Sequence, residues 1–79
     1  MSAYRPTAVS ISLGVCVRSL RERDRYTQAE LADLMSERLG TQVHPLIVLR
    51  TEQGTRATTA DEIDALARIF RVRPGHFFV

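Results

Sequence analysis

The chain has 79 residues, 25% of them charged and 44% hydrophobic, and a formal net charge of +2. That length admits one small domain, and the balance of apolar and charged residues excludes a disordered tail. A single cysteine, Cys16, excludes an internal disulfide, and no run of about 20 apolar residues is present to span a bilayer. A reducing cytoplasm is therefore the expected compartment. A domain this small buries only about 60% of the surface of its unfolded chain, so a partner chain would add useful stability. All eleven basic residues are arginine. A GC-rich coding sequence accounts for that bias; the alternative is a preference for guanidinium groups as phosphate and guanine ligands.

Met1 to Thr7, with Tyr4 and Pro6, reads as a flexible arm. The first helix is expected from about Ser10 to Asp24, with Leu13, Val17 and Leu20 on one face and Cys16 beside them. Thr7 to Val17 is apolar enough to suggest a signal-peptide core. Gly14 and two serines interrupt it, however, and it runs into Arg18-Ser19-Leu20-Arg21-Glu22-Arg23, so a helix with one apolar face is the better reading. Thr27-Gln28-Ala29-Glu30 has the form of a capping box, in which the threonine hydroxyl and the glutamate each satisfy a free N–H at a helix start. Leu31, Leu34 and Met35 form the stripe of this second helix, and Gly40 is its expected stop. Thr41 to His44 is a loop. Pro45 suits the first turn of a third helix, which Gly54 ends. A second capping box, Thr59-Ala60-Asp61-Glu62, opens a fourth helix carrying Ile63, Leu66, Ala67 and Phe70 at i, i+3, i+4 and i+7. Pro74 begins a short last turn that returns Phe77 or Phe78 to the core.

Two segments carry a resemblance. Thr27-Gln28-Ala29-Glu30-Leu31-Ala32 and Val48-Leu49-Arg50-Thr51-Glu52-Gln53-Gly54 are similar to the two helices of a Cro/repressor-type (XRE-like) helix-turn-helix, and the likeness extends from about Leu13 to Phe78. It implies an all-α, compact five-helix, lambda-repressor-like domain over residues 9–79, preceded by an arm of residues 1–8. It also implies a DNA-binding regulator acting near the nucleoid, without cofactor or metal. Since the chain ends at Val79 with no second domain, any signal is expected to act through protein level, a partner or oligomeric state.

The family pattern nominates particular residues. Gln28 follows the N-cap of the second helix, where the family touches a DNA phosphate. A helix start presents free N–H groups and a partial positive charge to such an anion. Counting back from Glu52 in the family's Glu-x-Gly pattern, the residues facing the major groove are His44, Pro45, Leu46 and Arg50. Arg50 is the best base reader, because its guanidinium can donate two hydrogen bonds to the O6 and N7 of guanine. A phosphate contact or a plain surface role is the alternative for it. Thr55 and Arg56, in the loop after the third helix, are candidate phosphate donors, with Thr59 reserved as a cap. Arg21 and Glu52 match a partly buried ion pair that fixes the first helix against the third.

The sequence departs from the family in two ways. Leu46, Ile47, Val48 and Leu49 are four consecutive apolar residues where an outward polar face is usual. Leu46 could meet a thymine methyl, the cluster could meet a protein, or the loop Thr41 to His44 could cover it. The segment between the second and third helices is also longer than the family's tight turn, which leaves the register of the third helix open by a position or two.

Enzyme chemistry finds little support. His44, His76 and Cys16 make neither a metal set nor a nucleophile–base pair, and Asp61, Glu62 and Asp64 sit at a helix start, where the dipole explains them. The leading expectation is a sequence-specific, repressor-like regulator of double-stranded DNA. It would act as a homodimer on an inverted repeat, with Phe78 in the two-fold contact. The rival is a protein-interaction module on the same fold, binding a sigma factor, a regulator or a toxin through Leu46, Ile47 and Leu49.

Overall fold

The computed structural model describes residues 4–78. Met1 to Ala3, the start of the expected arm, and Val79, the end of the expected dimer segment, lie outside the described residues. Four α-helices follow one another: α1 (Ala8–Arg23), α2 (Gln28–Leu39), α3 (Pro45–Gln53) and α4 (Ala60–Phe70). The expected fifth helix is instead a single 3-10 turn over Pro74–Phe78. Its five residues are too few to build an i→i+4 ladder, and its first bond runs from the His76 N–H to the Arg73 carbonyl at 2.9 Å. No described residue is in a β-strand, and no helix is long and apolar enough to cross a membrane.

Helix starts follow their caps. Thr27 with Glu30, and Thr59 with Glu62, form the two capping boxes legible in the sequence. A third box starts α1 at Ala8, two residues before the expected start. There the Thr7 hydroxyl accepts from the Ser10 N–H at 3.0 Å, and the Ser10 hydroxyl accepts from the Thr7 N–H at 2.8 Å. His44 caps α3: its Nδ1 accepts from the Leu46 N–H at 3.1 Å.

Three helices end in the same motif, a left-handed residue followed by an N–H that reaches back to an orphan carbonyl. At α3 the left-handed residue is Gly54, with the Thr55 N–H on the Arg50 carbonyl at 3.0 Å. At α1 and α4 it is an arginine, Arg25 (φ 60°) and Arg71 (φ 59°). Glycine ordinarily fills this position, because a Cβ there costs on the order of 1 kcal/mol.

The core gathers one stripe from each helix. Leu13, Val17 and Leu20 of α1 meet Leu31, Ala32 and Met35 of α2, Val48 of α3, and Leu66, Ala67 and Phe70 of α4. Val43 of the connecting loop joins them, and Phe77 closes the end of the core while Phe78 stays outside. α3 packs on α1 and α2, and α4 packs on α2 and, less extensively, on α1. The α1–α3 crossing is unusually close at Gly14, whose missing side chain faces the Thr51 and Glu52 carbonyls.

Candidate nucleic-acid interface

α3 sorts its nine residues by face. Val48 and Thr51 point inward and are buried; Ile47 and Leu49 are half-buried. Leu46, Arg50 and Gln53, at i, i+4 and i+7, are exposed and form one outward stripe. Of the four consecutive apolar residues, only Leu46 is exposed, at 40% of its surface. The neighbouring helices cover much of the others, so α3 keeps no large open apolar cluster. Gln53 belongs to this stripe although the motif does not nominate it; helical periodicity alone would have found it. Arg50 makes no ion pair among the described residues. His44 stands at the N-terminal end of the same helix. Because its Nδ1 accepts the cap bond, its proton resides on Nε2, which is left as an outward donor.

A buried polar cluster holds this helix in place. Arg21 Nε donates to Glu52 Oε2 at 2.6 Å, and a second guanidinium nitrogen donates to Oε1 at 3.1 Å, giving a two-pronged pair. The remaining guanidinium nitrogen donates to the Tyr26 carbonyl at 2.9 Å, tying in the α1–α2 turn. The Glu52 side chain is only 5% exposed and that of Arg21 15%. Gln28 Nε2 donates to Glu52 Oε1 at 3.2 Å. The glutamate therefore receives three donors from two other helices, as a carboxylate taken out of water requires. The bond to Glu52 also holds the Arg21 guanidinium above its ordinary pKa. Gln28 thus has a structural role in this cluster.

The loop after α3 is built differently from the expectation. Arg56 does not extend as a free cation. One of its nitrogens donates to Glu62 Oε1 at 2.9 Å and to Thr51 Oγ1 at 3.1 Å, and the other to Glu62 Oε2 at 3.0 Å. Its side chain is 22% exposed and its partner's 12%. Arg56 therefore staples the end of α3 to the start of α4. The carboxylate that receives it is also the capping glutamate of α4. Thr55 is exposed, with its hydroxyl donating to the Arg50 carbonyl at 3.3 Å.

The start of α1 lies against the same region. The Ser10 hydroxyl has one proton and two acceptors at 3.1 Å, the carbonyls of Thr7 and Gly54. Tyr4 shares a cavity of about 160 Å3 with Ala57, Thr58 and Phe78. Nothing in the local sequence around Tyr4 announces this neighbourhood. Phe78 is 56% exposed and adjoins Val9, which is 59% exposed, at a shallow apolar depression of about 260 Å3. Cys16 is half-buried, and burial pushes its thiol pKa up, away from nucleophilic use.

Solved structures share this arrangement. The restriction-modification controller protein C.AhdI from Aeromonas hydrophila superposes with a TM-score of 0.78, at 25% identity, over 91% of this chain and all of that one. The clp gene regulator ClgR from Corynebacterium glutamicum superposes with a TM-score of 0.78 at 18% identity, over 94% of this chain and 72% of that one. A second ClgR structure gives 0.76 at 18% identity, over 91% and 86%. No family model and no curated protein sequence matches the chain. The Cro/repressor-type helix-turn-helix resemblance read in α2 and α3 is borne out by these neighbours, a controller protein and a gene regulator. At such identities the likeness speaks for the fold; function must be argued from the surface.

Proposed function

We propose that this protein is a sequence-specific regulator that inserts α3 into the major groove of double-stranded DNA. The outward stripe Leu46–Arg50–Gln53 carries the reading: it is a row of base-reaching side chains on a helix too short to stand alone, clamped by α1 and α2. Arg50 donates to a guanine edge, Leu46 meets a thymine methyl, and the Nε2–H of His44 supplies a further donor. Gln28, with the free N–H groups at the start of α2, and Thr55 hold phosphates on either side. Arg56 contributes chiefly by shaping the loop that presents Thr55.

We further propose a homodimer on an inverted repeat, with Phe78 and the adjoining Val9 in the two-fold contact, since a single domain this size has too little surface for high specificity. The rival reading, a protein-interaction module using α3, draws on the apolar third helix and the modest net charge of +2; with one of the four apolar residues exposed, the first of these supports is small.

The test is DNA binding by fluorescence anisotropy, comparing random duplex with sequences selected from a random pool, at low and moderate salt. A selected sequence bound at least tenfold tighter than random duplex is expected. Equal affinity for both, or no binding at low salt, would overturn the reading.

A further inference from the structure

A groove of about 550 Å3 runs between α2 and α4, and no residue of α3 lines it. Tyr26, Leu34 and Ile69 form its floor; Arg38, Arg68 and Arg71 stand around it, with Glu37 the only carboxylate on its rim. Arg68 is engaged by Asp64 at 3.1 Å, an exposed pair within α4. Arg38 and Arg71 have no ion-pair partner among the described residues.

Arg71 is the more telling of the two. It occupies the left-handed end of α4 (φ 59°), where glycine would be less strained. Backbone bonds to the Ala67 carbonyl hold that conformation, and the guanidinium stands at the groove near Asp24 without an ion pair among the described residues. The lining combines a phenol ring and two aliphatic side chains with three guanidinium groups. Such a surface is complementary to a strand or turn that places an apolar side chain between two carboxylates. A duplex backbone, evenly charged and without apolar groups, would leave the floor unmatched.

We propose that this groove is a docking site for an acidic segment of a partner protein, gripped by Arg38 and Arg71 and seated on Tyr26 and Ile69. The proposal does not rest on the DNA reading, because the groove and α3 share no lining residue.

The probe is a fluorescein-labelled peptide of alternating glutamate and leucine, titrated with the full chain at low and moderate salt. The double variant Arg38→Ala/Arg71→Gly should bind it about fivefold more weakly than wild type, since each exposed charge pair contributes little alone. Arg50→Ala should leave peptide affinity unchanged. Arg71→Gly relieves the left-handed strain, so a melting temperature equal to or above wild type shows that lost binding is not lost folding. Three results overturn the proposal. The first is no binding of the peptide by wild type; the second is a loss for Arg50→Ala as large as that of the groove variant, so that only net charge is read. The third is a weakening of random duplex by the groove variant as large as that of peptide, which would make the groove a phosphate surface.

Discussion

Gly14 in α1 lies so close to Thr51 in α3 that a Cβ on it would stand 2.4 Å from the Thr51 carbonyl oxygen and 2.5 Å from that of Glu52. Both neighbours are helix backbone and cannot swing aside. Gly14→Ala gains about 1 kcal/mol of helix propensity but must force the two helices apart, which costs more. A net loss of about 1–3 kcal/mol is expected by urea denaturation, along with weaker DNA binding because α3 is displaced. A variant as stable as wild type would show that the crossing has slack.

Arg21 and Glu52 form the second clamp on the same crossing. Removing one partner leaves the other charged and largely out of water, so Arg21→Ala and Glu52→Ala should each destabilise the fold by about 3 kcal/mol. Arg21→Met combined with Glu52→Leu should recover much of that loss, since no charge is left stranded. If the double variant is no better than the worse single one, the polar cluster is positioning α3 in a way that apolar packing cannot replace.

Arg56 tests how the loop after α3 works. With its guanidinium shared between Glu62 and Thr51, Arg56→Ala should lower stability by about 1–2 kcal/mol. It should also change the slope of log K against log salt by clearly less than the ~0.9 of one lost phosphate contact. A full-contact change in slope with unchanged stability would mean that the side chain leaves Glu62 for the backbone of DNA.

Arg50→Ala should weaken binding to a selected sequence by more than about 1 kcal/mol and relax selectivity at one base pair. The side chain is exposed and makes no ion pair among the described residues, so stability should hold. Equal losses on selected and random duplex would make Arg50 a phosphate contact.

Phe78→Asp should shift the protein toward monomer in sedimentation at tens of micromolar, both free and with DNA. An exposed phenylalanine beside Val9 gains from burial, and a carboxylate there would be stranded in an apolar contact. A dimer indifferent to the change would move the two-fold contact elsewhere.

How much of this was legible depended on how local each signal is. The boxes at Thr27 and Thr59, the proline at 45 and the glycines at 40 and 54 act within a few residues, and they marked the helix ends well. The box at Thr7 escaped because Ser10 stands where glutamate or glutamine is the usual sign. The role of Arg56 also escaped, although Glu62 is only six residues on, because the loop's path decides whether the two meet. The apolar run in α3 left three readings open because periodicity counts faces and ignores neighbours; α1 and α2 cover more of α3 than a lone helix wheel suggests. The α2–α4 groove has no sequence signature, since Tyr26, Arg38 and Arg71 come from separate segments.

The shortness of α3 has a consequence for how such a surface can change over time. Nine residues cannot hold a helix in water, and here the conformation is borrowed from Gly14, Arg21 and Gln28 on other helices. A peptide of Pro45–Gln53 would be coil, and the same nine residues moved into an unrelated scaffold would lose their presentation. On the proposed function, the outward surface is therefore not portable. New specificities would then arise by exchanging Leu46, Arg50 or Gln53 in place, one outward side chain at a time, while the inward half of the helix and its lenders stay fixed.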